Sequence, residues 1–220
     1  MRQVIKGSEP PAFTDWKDKA NEAWQPDYEI LQNPEKQALH EALLIEQNEM
    51  CCYCGRFIRL EDSHIEHFRP QETRKDLALE YSNLHASCIR ETKPGIPLHC
   101  GHAKANAFDE AQAISPLDSG CEQRFIYTLA GAIHPADPND TSADYMVNLL
   151  QLDIRLLRDH RADALQRVFD HAFMDSVTND ELARLAEGYR QPGANKQWRG
   201  FGHVLARYAE QQFTSSSQTF

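Results

Sequence analysis

Cys51-Cys52-Tyr53-Cys54-Gly55 is the stretch that decides the fold of this chain. Two thiolates at the C-x-x-C spacing can bind one zinc ion from a tight turn, and a glycine directly after them suits such a turn. Cys88 and Cys100 follow in the same segment, residues 51–104, which has few periodic apolar positions. The sequence therefore predicts a structural zinc site that holds this segment together.

Two alternatives to that four-cysteine site remain open. The cysteines could be buried free thiols, which behave as small hydrophobic residues, or His99 could replace Cys88 or Cys100 as a ligand. The chain has six cysteines, and its first residues lack the apolar stretch of a secretory signal. The longest apolar runs of the sequence are too short to predict a membrane span. We therefore expect a cytoplasmic protein whose cysteines bind metal rather than form disulfides, with Cys52 and Cys121 as packing residues.

Between the two cysteine pairs lies His64-Ile65-Glu66-His67-Phe68-Arg69-Pro70. In a strand His64 and Glu66 share one face and His67 lies on the other, but twist or a bulge near the strand end can bring Glu66 and His67 to one site. A carboxylate binds hard divalent cations, and an imidazole can take a proton from water. Together they are the groups that metal-assisted phosphodiester hydrolysis requires. The alternative is an ordinary surface stretch that happens to contain two histidines.

The remaining pattern predicts an α+β protein. The first thirty residues look irregular because prolines interrupt them, and a helix is expected over about residues 34–48. Two strands are expected at residues 56–60 and 63–68, a helix at 101–107, a hairpin near 125–133 and helices from residue 142 onward. We expect three parts: an N-terminal segment and helix (1–50), a zinc-containing core (51–135) and a helical C-terminal region (136–220).

The order of these motifs resembles that of the HNH (ββα-metal) endonuclease family. That order is C-x-x-C, an acidic residue before His, Asn-Leu, Cys and Cys-x-x-x-Lys. It is met by Cys51, Cys54, Glu66-His67, Asn83-Leu84, Cys88, Cys100 and Lys104. The sequence His-Ile-Glu-His-Phe-Arg-Pro at residues 64–70, together with Tyr81-Ser82-Asn83-Leu84, is most similar to PtuB, the HNH subunit of Septu and retron-associated antiphage defence systems. The similarity covers about half of the chain well.

The resemblance implies a role for each matched position. Its zinc ligands would be Cys51, Cys54, Cys88 and Cys100. His67 would be the general base, Glu66 would bind a catalytic Mg²⁺ or Mn²⁺ ion, and Asn83 would hold the loop of the core by side-chain hydrogen bonds. Gly101 stands where the family usually has a His or Asn metal ligand. His102, one residue later, is the expected substitute, in preference to Asn106 one helical turn beyond it. Arg69 or Lys104 would contact the substrate phosphate, unless they are only solvated charges.

The implied function is a metal-dependent endonuclease that serves as the nuclease effector of an antiphage complex. Its substrate would be DNA, or an RNA such as a transfer RNA. The implied partners are a PtuA-like ATPase subunit and, in retron systems, a reverse transcriptase with its RNA–DNA product. The alternative is a zinc-dependent protein-interaction module without catalysis, which the missing ligand at Gly101 favours.

The charge of the chain bears on how it would bind nucleic acid. The formal net charge is −10, but residues 51–104 contain eight Lys or Arg and seven Asp or Glu, so the acidic excess lies outside the motif region. Because Lys and Arg on phosphates supply most nucleic-acid affinity, we expect weak binding by this chain alone and help from a partner.

Overall fold

Eight α-helices and two small antiparallel sheets make up the described part of this mixed α+β protein. The computed structural model describes residues 1–193 and 197–216. The helices are α1 (Pro11–Lys17), α2 (Glu35–Glu46), α3 (Gly101–Lys104), α4 (Thr141–Leu149), α5 (Arg155–Gln166), α6 (His171–Ser176), α7 (Asn179–Tyr189) and α8 (Gly202–Ser216). The strands are β1 (Ser63–His67), β2 (Leu84–Cys88), β3 (Phe125–Tyr127) and β4 (Ile133–Pro135).

The strand that carries the His-Glu-His sequence pairs differently from the sequence-based expectation. β1 runs antiparallel to β2, with Ser63 opposite Cys88 and Glu66 opposite His85. The predicted partner strand at 56–60 does not form within the described residues, where that segment makes a single bridge between Met50 and Phe57. Its backbone instead bonds to the segment after α2, with Ile58 N donating to Glu49 O at 2.9 Å. The segment therefore closes the C-x-x-C turn rather than extending the sheet.

The N-terminal segment contains a helix that the sequence did not predict. α1 begins directly at a proline, with Pro10 as its cap residue. Proline fits the first turn of a helix because the amide hydrogen that it lacks would have no partner there. Phe13 and Trp16 of α1 are buried. The prolines therefore begin a helix here, and the expectation of an irregular segment was wrong over residues 11–17.

The predicted hairpin and the C-terminal helices are confirmed. β3 pairs with β4, with Phe125 opposite Pro135. Thr178 and Glu181 form the two reciprocal hydrogen bonds of a capping box at the start of α7. Gly131, in the hairpin turn, has a φ of 80°, and a Cβ there would lie 2.0 Å from Arg158 O of α5. The turn therefore requires glycine so that the hairpin can pack against α5.

One buried cluster joins the three predicted parts of the chain. It includes Leu43 of α2, Ala86 of β2, Leu157 of α5 and Val204 of α8. α8 also covers the C-x-x-C turn, since a Cβ on Gly55 would lie 2.2 Å from the His203 ring. The core segment thus shares its interior with both flanking segments. Across residues 1–193 and 197–216, none of the helices has the length and apolar character that a bilayer crossing needs.

Candidate metal centre and groove

Four buried cysteines form the first part of the candidate site. The sulfur atoms of Cys51, Cys54, Cys88 and Cys100 all lie within 4.8 Å of one another. Cys54 Sγ and Cys88 Sγ are 3.7 Å apart. Tetrahedral ligands at the usual zinc–sulfur distance would be separated by about 3.8 Å, whereas a disulfide requires about 2.05 Å. The four residues therefore fit a metal ion such as zinc, and they could hold one.

Three separate pieces of chain supply these cysteines. The C-x-x-C turn is closed by Gly55 N, which donates to Cys51 O at 3.0 Å. Cys88 ends β2, and Cys100 directly precedes α3 with a φ of 57°. Burial alone would raise the pKa of the Cys51 thiol, but hydrogen bonds from the other cysteine thiols outweigh it and lower that pKa. The thiolate, which is the metal-binding form, is thus favoured at Cys51, whereas burial raises the pKa of the Cys88 and Cys100 thiols.

His99, Cys52 and Cys121 lie outside the set of four sulfurs. His99 Nδ1 is 3.4 Å from Cys88 Sγ and 3.2 Å from Cys100 Sγ, so the ring lies beside two cysteines of the cluster. Cys52 and Cys121 are fully buried, and burial is the main cause of the raised pKa of each thiol. These two thiols are kept neutral in the core.

A groove of about 520 Å³ lies beside the cysteine cluster, between β1, the connection that follows it and α3. Its lining includes four residues that the sequence analysis selected: Glu66, His67, His102 and Lys104. His64 and Gly101 also line it. The fold therefore gathers the candidate catalytic side chains around one open cavity.

Glu66 is buried at the floor of this groove, with 6% of its surface exposed. Its Oε1 accepts a hydrogen bond from Tyr53 OH at 3.1 Å and lies 3.0 Å from Lys104 Nζ. Its Oε2 lies 3.2 Å from His64 Nε2. Burial raises the pKa of Glu66, but the hydrogen bond with His64 and the charge of Lys104 outweigh that effect and lower it. Glu66 is therefore an oriented carboxylate anion.

His67, at the end of β1, is partly buried and neutral. Its Nε2 lies 3.0 Å from Ala78 O, and its ring packs edge-on against Tyr28 with 4.4 Å between ring centroids. A carbonyl only accepts, so Nε2 carries the hydrogen and Nδ1 keeps the lone pair. Desolvation lowers the pKa of His67, which favours the neutral ring near pH 7. A neutral imidazole with one free nitrogen can accept a proton.

Asn83 ties the connection between β1 and β2 to the start of β2. Its Oδ1 accepts from Arg69 N at 2.8 Å, and its Nδ2 donates to Arg69 O at 3.0 Å and to Leu77 O at 3.1 Å. Its side chain thus makes three hydrogen bonds to backbone atoms of that connection. The connection carries Ala78, the residue whose carbonyl orients His67.

Two histidines lie next to Gly101 in the groove. His102 Nε2 is 2.9 Å from Ile89 O, and His64 Nδ1 is 2.7 Å from the same oxygen. Their ring centroids are 4.5 Å apart. A Cβ on Gly101 would lie 2.2 Å from Glu66 Oε2 and 2.7 Å from His64 Nε2. The absence of a side chain at Gly101 thus makes room for the contact between Glu66 and His64.

The two residues expected to contact phosphate both lie in ion pairs. Arg69 Nε is 2.9 Å from both carboxylate oxygens of Glu110. Lys104 has a side chain only 2% exposed and also donates to His67 O at 2.9 Å, besides its contact with Glu66. Lys104 Nζ also donates to Ala105 O at 3.4 Å. A phosphate contact would therefore require this ammonium group to give up partners inside the protein.

Sequence reasoning gave no role to two residues that contact Glu66. His64 could have been found, because strand alternation already places it on the same face as Glu66. Tyr53 carried no such signal, because in the sequence it is only one of the two residues between Cys51 and Cys54. Its hydroxyl meets Glu66 only in the folded chain.

No family model matches this chain, and no curated protein matches it. The cysteine cluster, the groove and the sequence motifs therefore remain as the indications of function.

Proposed function

We propose that this chain is a metal-dependent endonuclease of the HNH type that hydrolyses phosphodiester bonds in DNA or RNA. The observation that carries the proposal is one groove lined both by an oriented carboxylate, Glu66, and by a neutral imidazole, His67, whose Nε2 is held by Ala78 O. In this proposal β1, β2 and α3 are the ββα-metal core, and the four cysteines bind a structural zinc ion.

The side chains of the groove divide the chemistry between them. A bound divalent cation such as Mg²⁺ or Mn²⁺ would supply Lewis acidity to the scissile phosphate and the leaving oxygen. Glu66 would hold that cation through Oε2, because Oε1 accepts from Tyr53 and lies against Lys104. His67 accepts a proton from the attacking water at Nδ1 while Ala78 O fixes its ring.

The test replaces the general base and a matched histidine outside the groove. His67→Ala should reduce cleavage of DNA or total RNA by about 10²- to 10⁴-fold, the usual contribution of a general base. His160→Ala, on the exposed surface of α5, should leave the rate unchanged. Zinc content and melting temperature should be the same in both variants. Undiminished cleavage by the His67→Ala protein would refute the mechanism.

The resemblance of the sequence to PtuB subunits supports a biological context for this activity. In that setting the chain is the cytoplasmic nuclease effector of an antiphage complex, and a PtuA-like ATPase is its partner. In retron systems a reverse transcriptase and its RNA–DNA product join the complex.

The second candidate is a zinc-dependent interaction module without catalysis, which Gly101 at the usual ligand position favours. A complex of this chain with its ATPase partner that cleaves neither DNA nor RNA in Mg²⁺ or Mn²⁺ would favour that module.

A further inference from the structure

The two oxygens of Glu66 have different surroundings. Oε1 takes both interior donors, Tyr53 OH at 3.1 Å and Lys104 Nζ at 3.0 Å. Oε2 faces His64 Nε2 at 3.2 Å, at the wall of the groove that Gly101 leaves open. One oxygen is therefore used to orient the carboxylate, and the other is available to bind a ligand.

The hydrogen bonds of His64 show which of its ring nitrogens meets Glu66. Nδ1 lies 2.7 Å from Ile89 O, so Nδ1 carries the hydrogen of the neutral ring. In that ring Nε2 offers a lone pair toward Glu66 Oε2. When Nε2 is protonated it instead donates the hydrogen bond to Oε2 described above, and a bound cation would take the place of that proton. A backbone carbonyl that accepts from the second ring nitrogen is the usual support of a metal-binding histidine.

The distance between these two atoms fits a shared cation. Neighbouring ligands at about 2.1 Å from one octahedral ion are about 3.0 Å apart, close to the 3.2 Å between His64 Nε2 and Glu66 Oε2. Without a cation, a proton on His64 Nε2 and the ammonium group of Lys104 supply the positive charge at this carboxylate. A divalent cation between the two ligand atoms would replace that proton.

Gly101 explains why the ligand pair can lie there. A Cβ at this position would be 2.2 Å from Glu66 Oε2 and 2.7 Å from His64 Nε2. A His or Asn at this position would therefore collide with both atoms. His64 of β1 thus occupies the space that a side chain at position 101, at the start of α3, would otherwise fill.

We propose that Glu66 Oε2 and His64 Nε2 are the two protein ligands of the divalent cation, so that His64 of β1 replaces a ligand from α3. The inference rests on the proposed nuclease function, because the cation is the one assigned to phosphodiester cleavage. His102 is then a neighbour of the site and not a ligand. The remaining coordination positions are open to phosphate oxygens and water.

The experiment uses the full-length, zinc-loaded chain and Mn²⁺ as the probe, since a hard cation prefers oxygen and imidazole ligands to the thiolates of the cysteine cluster. Mn²⁺ binding is measured by titration calorimetry, and pulsed electron paramagnetic resonance detects coupling to a histidine nitrogen. His64→Ala should weaken Mn²⁺ binding by about tenfold or more and abolish the nitrogen coupling. His102→Ala, the matched control from the same groove, should keep both.

The wild-type spectrum and the control make the result independent of how well His64→Ala folds. Nitrogen coupling that survives in His102→Ala supports His64 as the ligand. Loss of the coupling in His102→Ala, or its persistence in a folded His64→Ala protein, overturns the inference while leaving the proposed nuclease intact. Mn²⁺ bound through His64 in a chain that cleaves no nucleic acid would support the inference and refute the nuclease. A wild-type chain that binds no Mn²⁺ would refute both.

Discussion

Lys104 and Glu66 form a buried ion pair in the groove. Their side chains are 2% and 8% exposed, and Lys104 Nζ lies 3.0 Å from Glu66 Oε1. Tyr53 and His67 O take part in the same network, since Tyr53 donates to Glu66 and Lys104 donates to the carbonyl. Removal of one partner from such a pair leaves a buried charge without compensation, which costs far more than the pair itself contributes.

Lys104→Met should therefore destabilise the protein by about 3–5 kcal/mol. Urea denaturation followed by circular dichroism measures the change. The double variant Lys104→Met with Glu66→Gln should recover part of the loss, because the glutamine side chain is neutral. Lys75→Met, which alters an exposed lysine of the same groove, should change stability by less than about 0.5 kcal/mol. Equal effects of Lys104→Met and Lys75→Met would contradict the role of the buried pair.

The lowered pKa of buried His40 predicts that the stability of the protein depends on pH. Its Nε2 lies 2.9 Å from Ser63 Oγ, and burial lowers its pKa to about 4. A histidine whose folded-state pKa is below its unfolded value of about 6.5 binds fewer protons when folded. Its contribution is therefore fully present above pH 6.5 and is lost as the pH falls toward 4.

His40→Gln should remove that contribution. Between pH 7 and pH 5 the free energy of unfolding of the wild type should fall by about 1–2 kcal/mol more than that of the variant. Denaturation curves at both pH values measure the difference. The same substitution at exposed His160 should leave the pH dependence as in the wild type. A steeper fall in His40→Gln than in the wild type would give the opposite sign and contradict this account.

At the scale of elements, the cysteine cluster joins parts that are too short to be stable alone. α3 has four residues and β1 and β2 have five each. An isolated helix of this length is not stable in water, and a two-stranded sheet is marginal. A metal ion in the cluster would connect the C-x-x-C turn, the end of β2 and the start of α3. The local fold of the groove would then depend on that ion.

Cys51→Ser and Cys121→Ser are a matched pair for this dependence, because both thiols are fully buried and only Cys51 belongs to the cluster. We expect about one zinc ion per wild-type chain, loss of zinc and of folded protein in Cys51→Ser, and normal zinc and folding in Cys121→Ser. Elemental analysis and circular dichroism measure these properties. Folded, soluble wild-type protein without zinc would contradict the proposal.

Local patterns predicted some elements correctly and failed where distant contacts decide the structure. The periodic apolar positions of α2 and α5 and the capping box of α7 are local, and the structure confirms those helices. The predicted partner of β1 was wrong, because the strand that pairs with it, β2, begins only at Leu84. Alternation within one strand does not identify the strand with which it pairs. The contacts of Glu66 with Tyr53 and Lys104 likewise arise only in the folded chain.

At the scale of the whole molecule, three arginines of the core segment are held in ion pairs. Arg69, Arg74 and Arg56 are each paired with an acidic residue, respectively Glu110, Asp76 and Asp62. Glu29 and Glu72 line the groove together with Lys75. With a net charge of −10 on the chain, these ion pairs further reduce the positive charge that can meet phosphates. Nucleic-acid binding should therefore require added positive charge from a partner.

The isolated chain is accordingly expected to bind DNA and RNA weakly, with dissociation constants above about 10 µM at physiological salt, and to co-purify with a larger ATPase when the two are expressed together. Fluorescence anisotropy with labelled oligonucleotides at two salt concentrations measures the affinity.

Glu110→Gln should strengthen binding because it frees Arg69 beside the groove, whereas Glu181→Gln on α7 changes the net charge equally and should have little effect. Equal gains from both variants would mean that net charge alone governs binding. Tight, salt-resistant binding and rapid cleavage by the isolated wild-type chain would show that no partner is needed, since the groove would then hold its substrate unaided.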